Sequence, residues 1–120
     1  YRGSILAYDN EIKEKVLNIS PDLIKNYGVV SEQVVKEMAL SVKKIMCVDY
    51  ALSTSGIAGP SGGTNEVPVG TIWTAIASPY GVKAKKYYFG TDRSWNIKRG
   101  ANAVLLNFLH QLESDHKKIK

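Results

Sequence analysis

The segment of this chain best suited to chemistry is a glycine-dense loop between Ser55 and Thr71. Four glycines fall within eight residues, at Gly56, Gly59, Gly62 and Gly63. Glycine-dense backbone costs conformational entropy on folding, and a chain that only had to turn could do so in two residues. We therefore expect backbone N–H groups of the loop to approach a ligand, and an anion is the ligand that such groups favour. An elaborate connection between two strands is the alternative.

Two side chains outside the glycines could supply nucleophilic or acid–base chemistry. Ser55 follows an apolar strand, where its hydroxyl either enters a cleft or bonds its own backbone in a turn. Lys13 lies one helical turn past the first predicted strand. A lysine acts as a base only if its pKa falls from about 10.4 to roughly 7–8, which requires burial or a cationic neighbour. Spacing alone favours a surface position for Lys13.

Arg93 follows Gly90-Thr91-Asp92 at the predicted start of the last helix. A guanidinium beside helix N-terminal N–H groups suits a phosphate, and an ion pair with a nearby acid is the alternative. The two histidines, His110 and His116, are six residues apart and do not share a helical face. The sequence therefore predicts neither a metal site nor a Ser-His-Asp triad, and it predicts no cofactor.

The spacing of apolar and capping residues predicts the elements that hold these side chains. Strands are expected at 4–8, 48–53, 69–78 and 82–89, and helices at 9–17, 20–27 and 31–46 and from 93 onward. The last two strands form a hairpin, which forces one antiparallel pair. We therefore predict an α/β domain, a three-layer α/β/α sandwich with a mixed sheet.

The last predicted helix carries the strongest periodicity in the chain. Its apolar stripe consists of Ile97, Ala101, Val104, Leu105, Phe108, Leu109 and Leu112. Four strands and only two long helices are few for a three-layer sandwich. We therefore expect one face of the sheet to be short of a helix.

Composition bounds the class of protein. The 120 residues fit one domain, and 44% apolar with 22% charged residues is ordinary for a soluble globular protein. No apolar run is long enough to span a bilayer. The single cysteine, Cys47, rules out an internal disulfide and is expected to be buried. The net charge of the chain is +5, and lysines cluster at 83–86 and 117–120. For these clusters we favour a solvated surface over a nucleic-acid site.

Several segments together resemble one known family. They are Tyr8-Asp9-Asn10-Glu11-Ile12-Lys13, Gly28-Val29-Val30-Ser31, Ser55-Gly56-Ile57-Ala58-Gly59-Pro60-Ser61-Gly62-Gly63-Thr64, Pro68-Val69-Gly70-Thr71-Ile72-Trp73 and Gly90-Thr91-Asp92-Arg93. In this order they are similar to the CinA C-terminal domain of competence/damage-inducible proteins. The resemblance implies hydrolysis of the carboxamide of nicotinamide mononucleotide, giving nicotinate mononucleotide and ammonia, by a serine and a lysine without metal or cofactor.

The resemblance also implies roles for individual residues. Lys13, Tyr8 and Ser55 match catalytic positions, and Arg93 matches the arginine expected near the substrate phosphate. The remaining residues that it implies in substrate binding are Asn10, Gly56, Gly59, Gly62, Gly63 and Thr64.

Two departures from the family pattern matter. The family has Ser or Thr where this chain has Asp9, and a negative charge there raises the pKa of Lys13, the wrong direction for a base. The family's N-terminal segment, with a Glu-Ser-Cys-Thr-Gly-Gly motif and a further serine, would lie before Tyr1. We therefore expect residues 1–120 to be an N-terminally truncated domain that lacks the nucleophilic serine.

The sequence is compatible with three functions. The first is the amidohydrolase. The second is a non-catalytic nucleotide-binding module of the same fold, and the third is an accessory protein associated with DNA or competence. The expected partner is a small nucleotide, without membrane; nucleic acid is disfavoured, a homodimer is left open, and the cytoplasm is the expected compartment.

Overall fold

A computed structural model describes residues 1–119 as four helices and three strands. Their bounds are α1 Asn10–Lys15, α2 Pro21–Tyr27, α3 Glu32–Ile45, β1 Ala51–Gly56, β2 Thr71–Ser78, β3 Gly81–Tyr88 and α4 Arg93–Ile119. Lys120, the end of the lysine cluster at 117–120, lies outside the described residues. None of the helices within residues 1–119 is both long and apolar enough to cross a membrane.

The three strands form one antiparallel sheet in the order β1-β2-β3. α3 packs on one face, where Val35 and Ala39 meet alanines of the sheet: Ala51, Ala75 and Ala77. Because these side chains are small, the helix backbone lies close to the strands. α4 packs on the opposite face through contacts with β1 and β2. The predicted α/β class and its three layers are thereby confirmed.

The predicted strand at 4–8 is wrong. Residues 1–8 have no regular secondary structure and form no ladder with any strand of residues 1–119. The alternation that suggested a strand is real, because Ile5 and Ala7 pack against a buried cluster while Leu6 and Tyr8 are exposed. Without this segment the sheet has no parallel pair, so the described sheet is antiparallel rather than mixed.

Local signals fix some boundaries well and others poorly. α2 begins after the Ser20 cap and ends at Tyr27 before Gly28, as predicted. β1 begins three residues later than predicted, because the chain leaves α3 through a turn in which Cys47 has φ 51°. Cys47 is exposed, so its predicted burial is wrong. The three lysines Lys83, Lys85 and Lys86 are exposed on β3.

The apolar stripe predicted on the last helix is split between two faces of α4. Val104 is buried and Phe108 half-buried, whereas Ile97, Leu105, Leu109 and Leu112 are exposed. The face toward the sheet instead consists of buried and half-buried residues at helical spacing: Asn96, Gly100, Val104, Phe108, Gln111 and Asp115. The helix was predicted correctly, but about half of its apolar side does not contact the core.

The neck of the glycine loop is closed at Gly70, which has φ +92°. Its N–H donates to the Ile57 carbonyl, and its carbonyl accepts from the Phe89 N–H. A Cβ at Gly70 would fall 1.9 Å from the Gly90 carbonyl oxygen. The loop therefore contacts the segment before α4 at a point where only glycine fits.

We expect Gly70→Ala to lower the free energy of unfolding by about 3 kcal/mol or more, because a backbone overlap adds to an unfavourable φ. Gly81→Ala is the matched control, since Gly81 also has positive φ but its Cβ would meet nothing within 4 Å. It should cost about 1–2 kcal/mol. Urea unfolding measures both, and equal losses would contradict the role of close approach.

Candidate functional site

A cavity of about 460 Å³ brings together residues from separate parts of the chain. The N-terminal segment, α1, the turn before α3, the end of β1 and the glycine loop all contribute to its wall. Six of the sequence-predicted site residues line it: Tyr8, Asn10, Lys13, Ser55, Gly56 and Gly62. Tyr8 and Asn10 are exposed, whereas Lys13 is buried. The cavity is therefore the candidate functional site.

α1 carries Lys13 into this cavity. The helix begins after Asp9, whose carboxylate accepts a hydrogen bond from the Glu11 N–H at 3.0 Å. Lys13 is the one buried residue of the helix, with 6% of its surface exposed. Its Nζ donates to the Ala7 carbonyl oxygen at 2.5 Å. The amine is thus held toward the segment before the helix rather than in solvent.

Burial shifts the acid–base behaviour of this amine. Desolvation lowers the pKa of the Lys13 ammonium below the usual lysine value, and the Asp9 carboxylate raises that pKa by a smaller amount. The predicted opposition between burial and Asp9 is therefore present, and burial has the larger effect. A neutral amine is populated at lower pH here than on a surface lysine.

Ser55 is held by a backbone carbonyl. Its Oγ donates to the Val29 carbonyl oxygen at 2.8 Å, just as Ser53 Oγ donates to the Val35 carbonyl oxygen at 2.6 Å. Both serines are on the α3 side of β1, because alternate residues of a strand share a face. Ser55 thus presents its oxygen lone pairs, rather than its hydrogen, to further partners in the cavity.

The glycine loop is shaped largely by packing against Val69. A Cβ at Gly59 would fall 2.5 Å from a Val69 methyl, and one at Gly63 would fall 2.5 Å from the Val69 nitrogen. Thr64 closes a local turn, since its Oγ accepts from the Val67 N–H at 3.0 Å. These three residues do not line the cavity that holds Lys13. Their predicted contact with substrate stays a prediction.

Arg93 lies at the start of α4 and braces the same loop. Its Nη1 donates to the Gly59 carbonyl oxygen at 3.0 Å. Arg93 is exposed and is not among the residues that line the cavity around Lys13. The alternative for Arg93, an ion pair with a nearby acid, is not found among the salt bridges of residues 1–119. Its predicted phosphate contact stays a prediction.

Sequence reasoning missed Asn96. This residue is fully buried, and its Nδ2 donates to the Ala58 carbonyl oxygen at 2.8 Å and to the Gly90 carbonyl oxygen at 3.0 Å. It therefore joins the glycine loop to the segment before α4. The available signal was an asparagine four residues before Gly100, at the spacing of the buried face of the helix.

We expect Lys13 to make stability depend on pH in the alkaline range. Because its folded-state pKa is lowered, the unfolded chain binds more protons between that pKa and the usual value of 10.5. The free energy of unfolding should therefore rise with pH across this window and be lowest, for this group, below the folded pKa. Lys13→Met keeps the stem and removes the amine, so the rise should disappear.

Urea titrations from neutral pH upward measure this difference. Lys15→Met is the matched control, because Lys15 is on the same helix and is exposed. Parallel pH profiles for the wild type and Lys13→Met would contradict the burial of the amine.

Comparisons with known proteins identify the family of this chain. The family model described as the CinA C-terminal domain matches residues 1–112. A CinA-like protein of Thermosipho melanesiensis is 53% identical over 109 residues, covering 88% of this chain and 27% of the relative. One from Prochlorococcus marinus strain MIT 9215 is 43% identical over 111 residues, covering 91% of this chain and 26% of the relative. The chain thus spans about a quarter of the length of these relatives.

Solved structures show the same fold. A competence-damaged protein (CinA) superfamily protein from Enterobacter cloacae superposes with a TM-score of 0.83 at 28% identity, covering 88% of this chain and 63% of that one. A competence or damage-inducible protein from Enterobacter asburiae gives a TM-score of 0.84 at 28% identity, covering 88% of this chain and 67% of that one. The chain belongs to the CinA C-terminal domain family.

Proposed function

We propose that this domain hydrolyses the carboxamide of nicotinamide mononucleotide to nicotinate mononucleotide and ammonia. The observation that carries the proposal is the buried amine of Lys13, which shares a cavity with Ser55 and has its pKa lowered by burial. A desolvated lysine that lines the same cavity as a serine is an arrangement that suits a metal-independent acyl transfer. The identity of the proposed substrate comes from the resemblance of the sequence to the CinA C-terminal domain.

The proposed reaction has two stages. A serine hydroxyl attacks the carboxamide carbon while neutral Lys13 accepts the hydroxyl proton. Backbone N–H groups of the glycine loop, with Gly62 at the cavity wall, stabilise the tetrahedral oxyanion. The protonated lysine then gives its proton to the departing ammonia, and water hydrolyses the acyl-enzyme to the carboxylate. The hydrogen bond from Nζ to the Ala7 carbonyl leaves the lone pair of a neutral amine free to accept that proton.

A second candidate function, nucleotide binding without turnover, is favoured by one feature. Lys13 and Ser55 each donate to a backbone carbonyl rather than to one another. For Ser55 to be the nucleophile, its O–H must leave the Val29 carbonyl and turn toward the lysine. If it does not, Ser55 cannot attack the substrate, and the cavity binds nucleotide without turnover unless another serine of the protein supplies the hydroxyl. We place either activity in the cytoplasm, where pyridine nucleotides are held.

We expect the protein, as its gene encodes it, to release ammonia from nicotinamide mononucleotide. Lys13→Ala should lower kcat by about 10²–10⁴-fold, the usual contribution of a general base. Lys15→Ala, on an exposed position of the same helix, should leave kcat unchanged. A coupled ammonia assay measures the rate, and isothermal calorimetry measures binding. Binding without ammonia release would establish the second candidate instead, and full activity in Lys13→Ala would exclude lysine as the base.

Arg93 is proposed to contact the substrate phosphate as well as the Gly59 carbonyl. A guanidinium carries five N–H donors, so a contact through Nη1 leaves others for an anion. Arg93→Ala should therefore raise KM for nicotinamide mononucleotide by about tenfold or more and leave KM for the unphosphorylated riboside nearly unchanged. Equal losses on both substrates would mean that Arg93 acts only by bracing the loop.

A further inference from the structure

A separate cavity of about 360 Å³ lies between α4 and β3. It forms because α4 packs on β1 and β2, while β3 is the outer strand of the sheet. Thr74 and Ile76 of β2 are its buried floor, and Lys83 and Lys85 of β3 line one side. It shares no lining residue with the cavity that holds Lys13. We call it the β3–α4 cavity.

The register of the hairpin directs two of the three β3 lysines to this cavity. Lys83 is paired with Ile76 and Lys85 with Thr74, and residues directly opposite in an antiparallel pair share a face of the sheet. Lys86 points to the opposite face, because it is paired with Trp73, which packs on the α3 side. The lysine cluster is therefore divided between two surfaces, and only one of them is concave.

The positive charge of the two cavity lysines has no acidic partner nearby. Both side chains are exposed, and neither is among the salt bridges of residues 1–119. The sequence has no acidic residue between Glu66 and Asp92. The acids of α4 are Glu113 and Asp115, and neither lines the cavity. Alternate residues of a strand are about 7 Å apart, so the two ammonium groups repel each other and favour an anion between them.

The α4 side of the cavity adds neutral polar groups and an imidazole. Asn107, His110, Gln111 and Ser114 line it at helical spacing. Gln111 Nε2 donates to the Asp115 carboxylate at 2.9 Å, and a carboxylate only accepts, so the amide nitrogen must face it. The Gln111 Oε1 atom is therefore left to accept a hydrogen bond from a hydroxyl group, and His110 offers an N–H donor.

We propose that the β3–α4 cavity binds the phosphate ester of a small sugar. The phosphate lies between the ammonium groups of Lys83 and Lys85, with His110 as a third donor, and a sugar hydroxyl donates to Gln111 Oε1. Ligand pockets span about 300–1,000 Å³, and this cavity is at the small end of that range, which suits one sugar with one phosphate. This binding site is additional to the proposed amidohydrolase site.

The test measures the protection of individual lysines in the protein as its gene encodes it. Lys83, Lys85 and Lys86 are all exposed on β3, so sulfosuccinimidyl acetate should acetylate all three, and tandem mass spectrometry distinguishes them. Saturating ribose 5-phosphate should slow the acetylation of Lys83 and Lys85 about tenfold and leave that of Lys86 unchanged. The concentration that gives half of this protection measures the affinity. Equal protection of all three lysines, or of none, would overturn the site.

Substitutions test the two sides of the cavity. Lys83→Gln should raise the half-protection concentration at Lys85 about tenfold, whereas Lys86→Gln, which removes the same charge from the other face, should raise it less than about twofold. His110→Ala should raise it about threefold. His116→Ala is the matched control, because His116 is exposed on α4 and does not line the cavity, and it should change nothing. Equal effects within either pair would contradict a localised site.

An analogue tests the sugar. Propyl phosphate carries an ester phosphate but no hydroxyl group, so Gln111 Oε1 gains no donor from it. It should require about threefold more than ribose 5-phosphate to protect Lys85 to the same extent. Equal protection by propyl phosphate or by inorganic phosphate would overturn the contact with Gln111 and with it the preference for a sugar.

Two further measurements separate this site from other anion sites. A single-stranded DNA oligonucleotide that protects all three β3 lysines at lower concentration than ribose 5-phosphate would assign the surface to nucleic acid and overturn the proposal. Arg93→Ala should leave the protection of Lys85 unchanged, because Arg93 does not line the β3–α4 cavity. Loss of protection in that variant would place the bound phosphate elsewhere. None of these readouts depends on ammonia release, so the sugar-phosphate site and the proposed amidohydrolase can fail separately.

Discussion

The desolvated amine of Lys13 is the constraint on which the rest of the candidate site depends. It lies on α1, a helix of six residues that is too short to be stable alone. The helix is held by the Asp9 cap at its start and by the buried side chains of Leu17 and Ile19 that follow it. A buried lysine side chain is costly unless its ammonium group is hydrogen-bonded or it has lost a proton to become a neutral amine. The contact with the Ala7 carbonyl satisfies one donor, and burial favours the neutral amine that a base requires.

The glycine loop is positioned by the start of α4 rather than by its neighbouring strands alone. Arg93 and Asn96 donate to the Gly59 and Ala58 carbonyl oxygens, and Gly70 packs on Gly90. The wall of the cavity thus depends on residues about 35 positions later in the chain. Substitutions at the start of α4 should be interpreted first through the loop and only then through direct contact with a ligand.

Local signals made much of the fold predictable. Ser20, Pro21 and Gly28 fixed both ends of α2, because caps act on the backbone next to them. The segment at 4–8 failed for the opposite reason. A strand exists only through its partner, and the alternation of Ile5 and Ala7 is equally satisfied by packing on side chains. The burial of Lys13 could not be predicted from the spacing of residues either, because a buried and an exposed lysine have the same spacing.

α4 shows where an amphipathic pattern loses information. Its apolar residues cover more than half of the helix circumference, so periodicity identifies a helix without identifying its inner face. The polar exceptions are more informative. Asn96 and Asp115 are buried at a spacing that matches Gly100, Val104 and Phe108, and Asp115 accepts from Tyr50 Oη at 2.7 Å. Polar residues in register with a buried face must have partners. They therefore indicate which side of the helix meets the sheet. The exposed leucines lie on the other sides of the helix.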